Sequence, residues 1–209
     1  MCRREWFQVP SLLLLLAACQ QGAEDANRLN QIQQTRDPRV VVQTPVTCSS
    51  VSEVCARLYE EHGGACLELT ESADFATRAA MRKCAVNDFR QAMAHLPPAG
   101  DKLVATRGLA EAVRISRDNA VNPTADIAEL DTLASQLAGT PAGAPYGAYY
   151  AANNELFQVL NGGVPANQAC ATLQDAQARL PRGNIPQDLN QRVADLQRNL
   201  TVKIKRSCG

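Results

Sequence analysis

From residue 48 to the C-terminus, apolar residues recur at spacings of three and four, and no window alternates convincingly as a strand. That pattern restricts the chain to packing helix on helix. Seven helices are expected. Ser50 and Glu53 fit a capping box for the first, which carries Val51, Val54, Cys55, Leu58 and His62 and ends at Gly63-Gly64. The second runs from about Thr70 to Leu96, burying Phe75, Cys84, Phe89 and Met93, and stops at Pro97-Pro98. The third covers about Asp101 to Asp118. A fourth opens after Pro123 with Ile127, Leu130, Leu133, Ala134 and Leu137 on one face. The fifth and sixth span about Gly147–Asn161 and Ala166–Leu180. The last has a seam of Leu189, Val193, Leu196, Leu200 and Ile204. The fold class is therefore all-α, a helical bundle of about seven helices. Helix starts lie about 21 residues apart and helix pairs recur at about 43, which keeps a short helical-repeat solenoid as the alternative.

Such a core is thin in large side chains. The only tryptophan is Trp6, aromatics are few, and alanine is abundant. A core of this kind buries little area per residue and profits from covalent staples. Six cysteines follow residue 47: Cys48, Cys55, Cys66, Cys84, Cys170 and Cys208. In an exported chain that even number reads as three disulfides. Zinc is the rival reading, but no Cys-x-x-Cys occurs and the two histidines are not at ligand spacing, so no metal and no cofactor are expected. Cys48 lies 14 residues before His62, and Cys84 lies 14 after Thr70. At 1.5 Å per residue both sit about 21 Å from a hairpin turn, which favours Cys48–Cys84. Cys55–Cys66 would then cross Gly63-Gly64, leaving Cys170–Cys208 to pin the C-terminus.

Export is read from the N-terminus. Arg3 and Arg4 precede the apolar run Ser11 to Ala18, too short for the ~20 residues of a membrane-spanning helix and followed at once by Gln20, Gln21 and Gly22. Leu16-Ala17-Ala18-Cys19 resembles the bacterial lipobox. That resemblance covers residues 1–20 and implies a diglyceride on the Cys19 thiol, cleavage before it and acylation of the new amine. One acyl chain anchors marginally, whereas two or three hold, at about 0.8 kcal/mol per buried CH₂. Gln20, rather than Asp, favours the outer membrane in two-membrane bacteria. The expected organisation is a signal peptide over 1–18, a lipidated cysteine and flexible tether over 19–46, and one helical domain over 47–209. Residues 20–46 are mostly polar and as a tether would span roughly 30 Å, although Val40-Val41-Val42 can form a short strand or dock on the body.

Removing residues 1–18 takes away Arg3, Arg4 and Glu5, so 21 basic and 21 acidic residues become 19 and 20. A net charge near −1 gives no bulk attraction to nucleic acid or to an anionic bilayer. The chain has no Gly-x-Ser-x-Gly, Ser-x-x-Lys, His-Glu-x-x-His or phosphate loop, and no catalytic residue is assigned. His62 and His95 each read as cations at helix ends. Arg107, Arg114 and Arg117 share one helix face and form a candidate anion-binding surface, with a solvated charged face as the plainer reading. Tyr146, Tyr149 and Tyr150 form a candidate contact surface, although packing into an aromatic-poor core suits them better. The composition and the missing chemistry favour a lipid-anchored interaction or scaffold module with an envelope protein partner. A small-ligand carrier or an inhibitor of an envelope-attacking enzyme is the second reading, and a hydrolase whose site escapes motif reading is the third.

Overall fold

The computed structural model describes the backbone of residues 9–35, 37–48, 50–72 and 74–208, and the side chains within these from Gly22 onward except that of Ser72. All regular structure among these residues is helical. The helices are α1 (Val9–Gln34), α2 (Pro38–Gln43), α3 (Glu53–Ser72), α4 (Phe75–His95), α5 (Leu103–Asn119), α6 (Thr124–Ala138), α7 (Ala144–Leu160), α8 (Ala166–Arg179) and α9 (Gln187–Ser207). Seven of them, α3 to α9, lie after residue 47. The chain divides into two units, residues 1–101 and 102–209, where the sequence suggests one domain over 47–209.

The first unit is built on the antiparallel pair α3 and α4, with α1 and α2 laid against α3. Helix α3 does not stop at Gly63-Gly64 but continues to Ser72. Asp74 then caps α4, its carboxylate accepting hydrogen bonds from Thr77 N and Thr77 Oγ1. Two glycines cost a helix about 2 kcal/mol in propensity. Gly63 offsets this by letting α4 come close: a Cβ there would lie 3.1 Å from Phe89 Cε2 and 3.3 Å from Asp88 Cβ. Phe89 is buried, whereas Phe75, expected in the core, is exposed at the start of α4.

Residues 22–46 differ from the slack tether that the polar composition suggests. Ile32 of α1 and Val41 of α2 are buried with Leu58 and Ala65 of α3, and Leu29, Val42 and Val46 pack beside them. Gln33 Nε2 donates to Glu61 Oε1, and Arg28 donates to the Thr47 carbonyl. A few apolar residues suffice because they fall on one face. No helix among the described residues is long and apolar enough to cross a membrane.

In the second unit each helix packs on the next, and α7 also touches α5 and α9. The odd helices thus form one layer, with α6 and α8 outside it, an arrangement that suits the ~43-residue pair spacing. The expected core faces are buried: Leu130, Leu133, Ala134 and Leu137 on α6, and Leu189, Val193, Leu196 and Leu200 on α9. Helices α6 and α7 meet through Gly147. A Cβ there would lie 2.5 Å from the Ala134 carbonyl oxygen and 2.7 Å from Ala138 N. Helix propensity alone would make Gly147→Ala stabilising by about 1 kcal/mol. The clash is with backbone, which cannot swing aside, so a net loss of about 2 kcal/mol is expected instead. Urea unfolding followed by circular dichroism checks this; a higher midpoint for the variant would refute the close packing.

The six cysteines after residue 47 pair as Cys48–Cys55, Cys66–Cys84 and Cys170–Cys208. The last is the expected pair. The expected Cys48–Cys84 and Cys55–Cys66 are corrected, and the reason is the position of the turn. It falls after Ser72 rather than at Gly63-Gly64, which brings Cys66 level with Cys84. Cys48 precedes α3 and folds back onto its first turn to reach Cys55. Cys208 lies far beyond the residue level with Cys170 in a tight hairpin. The connection between α8 and α9 takes up that length, with Leu180 (φ −51°, ψ 138°) and Pro186 (φ −53°, ψ 140°) both extended. Extended backbone rises about twice as far per residue as helix.

Candidate functional site

The six arginines and tyrosines singled out from the sequence come together in the second unit, most of them facing inward, whereas the Arg107 side chain is 37% exposed. Arg117, on α5, is 2% exposed. Its guanidinium donates to Asn154 Oδ1 and Asn153 Oδ1 on α7, both at 2.7 Å, and to Asp118 Oδ1. It also stacks over the Phe157 ring at 4.1 Å. Burial lowers the Arg117 pKa and the Asp118 carboxylate opposes that, so the guanidinium stays charged. Asn154 is fully buried and carries the link on to α6, donating to the Ile127 carbonyl and to Asp131 Oδ1.

Nearly two turns earlier on α5, buried Glu111 is held by three donor residues. Arg114 forks onto both carboxylate oxygens at 2.8 and 3.0 Å, Arg192 of α9 reaches Oε2 at 2.8 Å, and the Tyr150 hydroxyl donates at 3.3 Å. Burial by itself would raise the Glu111 pKa, but these partners hold it below the usual carboxylate value. Tyr150 is buried edge-on to Tyr149, and burial pushes its phenol well up. Arg107 donates to Tyr146 Oη at 2.8 Å and to Asp188 Oδ2 at 3.1 Å, and Tyr146 donates to Asp188 Oδ1. The three arginines are thus occupied by the chain's own Glu111, Asp118 and Asp188, and the tyrosines are core residues. The network joins α5, α6, α7 and α9 to one another.

A groove of about 510 Å³ opens on the same unit, floored by Ala134, Ala138, Gly147 and Ala151, with Glu155 and Arg179 among its lining residues. Arg179 Nε lies 3.3 Å from Glu155 Oε1, while the other carboxylate oxygen, Oε2, is buried with no hydrogen-bond partner. Burial raises the Glu155 pKa.

The first unit holds a second concentration of chemistry. His62 and Cys66 stand one turn apart on α3, and Cys84 and Asp88 one turn apart on α4. His62 is therefore in the middle of a helix and not at an end. Its Nδ1 lies 2.7 Å from Asp88 Oδ2, and its Nε2 lies 3.3 Å from the Val42 carbonyl oxygen. The Asp88 hydrogen bond raises the His62 pKa and outweighs burial, which lowers it. Asp88 Oδ2 is also 3.2 Å from Cys84 Sγ and 4.0 Å from Cys66 Sγ. Metal-ligating atoms of all four residues fall within 4.8 Å of one another. Asp25, Cys48 and Cys55 form a smaller group of the same kind, with Asp25 Oδ2 at 3.1 and 3.8 Å from the two sulfurs. His95 accounts for the other imidazole: it stacks on Tyr59 and lies 2.8 Å from the Ser50 carbonyl oxygen. Only the pairing of His62–Cys66 and Cys84–Asp88 at i,i+4 signals the cluster in the sequence. The Cys19 side chain, expected to carry lipid, lies outside the described residues.

No protein-family model, curated protein or solved structure matches this chain.

Proposed function

We propose that the protein is an exported lipoprotein, anchored through Cys19, whose helical body serves as an interaction or scaffold module of a cell-envelope assembly on the periplasmic face of the outer membrane. The observation that carries this reading is cysteine arithmetic. Of eight cysteines six pair among themselves, which leaves Cys2 and Cys19; cleavage before Cys19 removes Cys2, so the mature chain would retain one thiol with no disulfide partner of its own. That sulfur follows Leu16-Ala17-Ala18 at the end of an apolar run. Three disulfides agree with an oxidising compartment. The interaction role rests on what the body lacks in motifs and on the tied-down arginines and tyrosines, which build a rigid scaffold.

In a two-membrane bacterial host, the N-terminal peptide is expected to begin at Cys19 with a mass increment for diacylglycerol and a further acyl chain. Cys19→Ser removes that increment and the lipid-dependent membrane fraction. An intact leader with an unmodified thiol in the wild type overturns the anchor. Crosslinking in living cells is expected to capture a specific envelope protein; recovery of lipid alone overturns the module.

The groove over α6 and α7 favours one second reading, a carrier. Its lining includes the Glu155–Arg179 ion pair, which would meet the polar end of a small ligand. Native mass spectrometry of protein isolated from its host, showing no retained small molecule, removes that reading.

A further inference from the structure

We propose that His62, Cys66, Cys84 and Asp88 form a redox-gated zinc site: closed while Cys66–Cys84 is a disulfide, and open to one Zn²⁺ when that pair is reduced. The inference does not rest on the lipoprotein reading.

The backbone already sets the geometry. Two i,i+4 pairs on adjacent antiparallel helices turn four donors towards one point, and Gly63 lets α4 approach α3 closely enough for Asp88 to reach His62. A tetrahedral zinc with bonds of about 2.0–2.3 Å holds its ligand atoms roughly 3.3–3.8 Å apart. Cys84 Sγ to Asp88 Oδ2 is 3.2 Å, Cys84 Sγ to His62 Nδ1 is 3.8 Å, and Cys66 Sγ to Asp88 Oδ2 is 4.0 Å. The principal change needed is separation of the two bonded sulfurs, which reduction allows, and a slight opening of the His62–Asp88 contact. Two thiolates, an imidazole and a carboxylate are a ligand set that zinc accepts.

The surroundings favour a ligand histidine. His62 Nε2–H donates to the Val42 carbonyl, which leaves Nδ1 facing the cluster. Support of the non-coordinating ring nitrogen by a backbone carbonyl is the usual outer shell of a zinc histidine. In the disulfide state the proton between Nδ1 and Asp88 occupies the position the metal would take. Cys66 is fully buried and Cys84 only partly so, which makes the Cys84 sulfur the more accessible of the two to attack.

The redox step needs a dithiol reductant. Its thiolate attacks the Cys84 sulfur and expels the Cys66 thiolate. Its second thiol then resolves the mixed disulfide, and the reductant leaves oxidised. Two electrons and two protons arrive at Cys66 and Cys84. Zinc then displaces those two protons and the one shared by His62 and Asp88.

The test uses the full chain, purified in detergent, oxidised or reduced with a phosphine under anaerobic conditions. Co²⁺ is the probe, followed by displacement with Zn²⁺. The reduced chain is expected to take up one Co²⁺ with a sulfur-to-cobalt charge-transfer band and tetrahedral absorption in the red; the oxidised chain shows neither. The double variant Cys66→Ser/Cys84→Ser loses the band. His62→Ala and Asp88→Asn each weaken binding at least about tenfold, no less than loss of a supporting partner costs a metal site. Cys48→Ser/Cys55→Ser leaves the band in place. The proposal is overturned if the reduced chain binds no Co²⁺, whether it keeps its helicity or not. It is equally overturned if His62→Ala and Asp88→Asn bind as tightly as the wild type, or if the band follows Cys48 and Cys55.

Discussion

Arg117→Ala is expected to destabilise the second unit by about 4 kcal/mol, near the upper end of what a single side chain contributes. Three costs add in one direction. Asn153 Oδ1 and Asn154 Oδ1 each lose a charged donor, and in the closed interior of Asn154 no water replaces it. Asp118 loses one of its two guanidinium partners and keeps Arg114. A void opens beside Phe157, on whose ring the guanidinium lies. Arg117→Lys restores the charge but not the fork that reaches two asparagines at once, so it is expected to recover less than half of the loss. Three of the four tyrosines, Tyr146, Tyr149 and Tyr150, lie in this unit, so in a Tyr59→Phe background urea unfolding followed by tyrosine fluorescence reports on it directly. A loss under about 1 kcal/mol for Arg117→Ala would show that the network is not what joins α5 to α7.

Opening Cys170–Cys208 is the second large effect. The three bridges close loops of different length, with sequence separations of 7, 18 and 38. Loop-closure entropy then ranks them at about 2.4, 3.2 and 3.9 kcal/mol. The double variant Cys170→Ser/Cys208→Ser should therefore cost the most, about 4 kcal/mol, and should act chiefly through the unfolded chain. Both ends of this bridge lie in the second unit, so tyrosine fluorescence again follows it. Cys48→Ser/Cys55→Ser, in the first unit, should leave that signal nearly unmoved. Equal shifts from the two variants would contradict the ranking.

Much of this architecture is readable from side-chain spacing, and the rest is not for identifiable reasons. The seams on α6 and α9 need only local periodicity, and every residue expected in them apart from Ile127 and Ile204 is buried. Gly63-Gly64 reads as a stop because its local cost is visible in the sequence, whereas Phe89 packing against it is not. One misplaced turn then moves two disulfide assignments. Arg107, Arg114 and Arg117 are correctly grouped on a face, but whether that face meets water or Glu111 and Asn154 depends on helices 30 to 80 residues away. The metal-ligating group fails for the same reason, since half of it stands on each of two helices.

The docking of α1 also bears on how a lipid on Cys19 would present the first unit. From Cys19 to Ile32 the chain is continuous helix, a rise of about 20 Å, and its far end is fixed against α3. A coil would set only a maximum reach; a helical stalk sets height and azimuth together. Each residue added to it turns the unit by about 100° about the helix axis relative to Cys19, so reach and rotation about that axis cannot be varied separately.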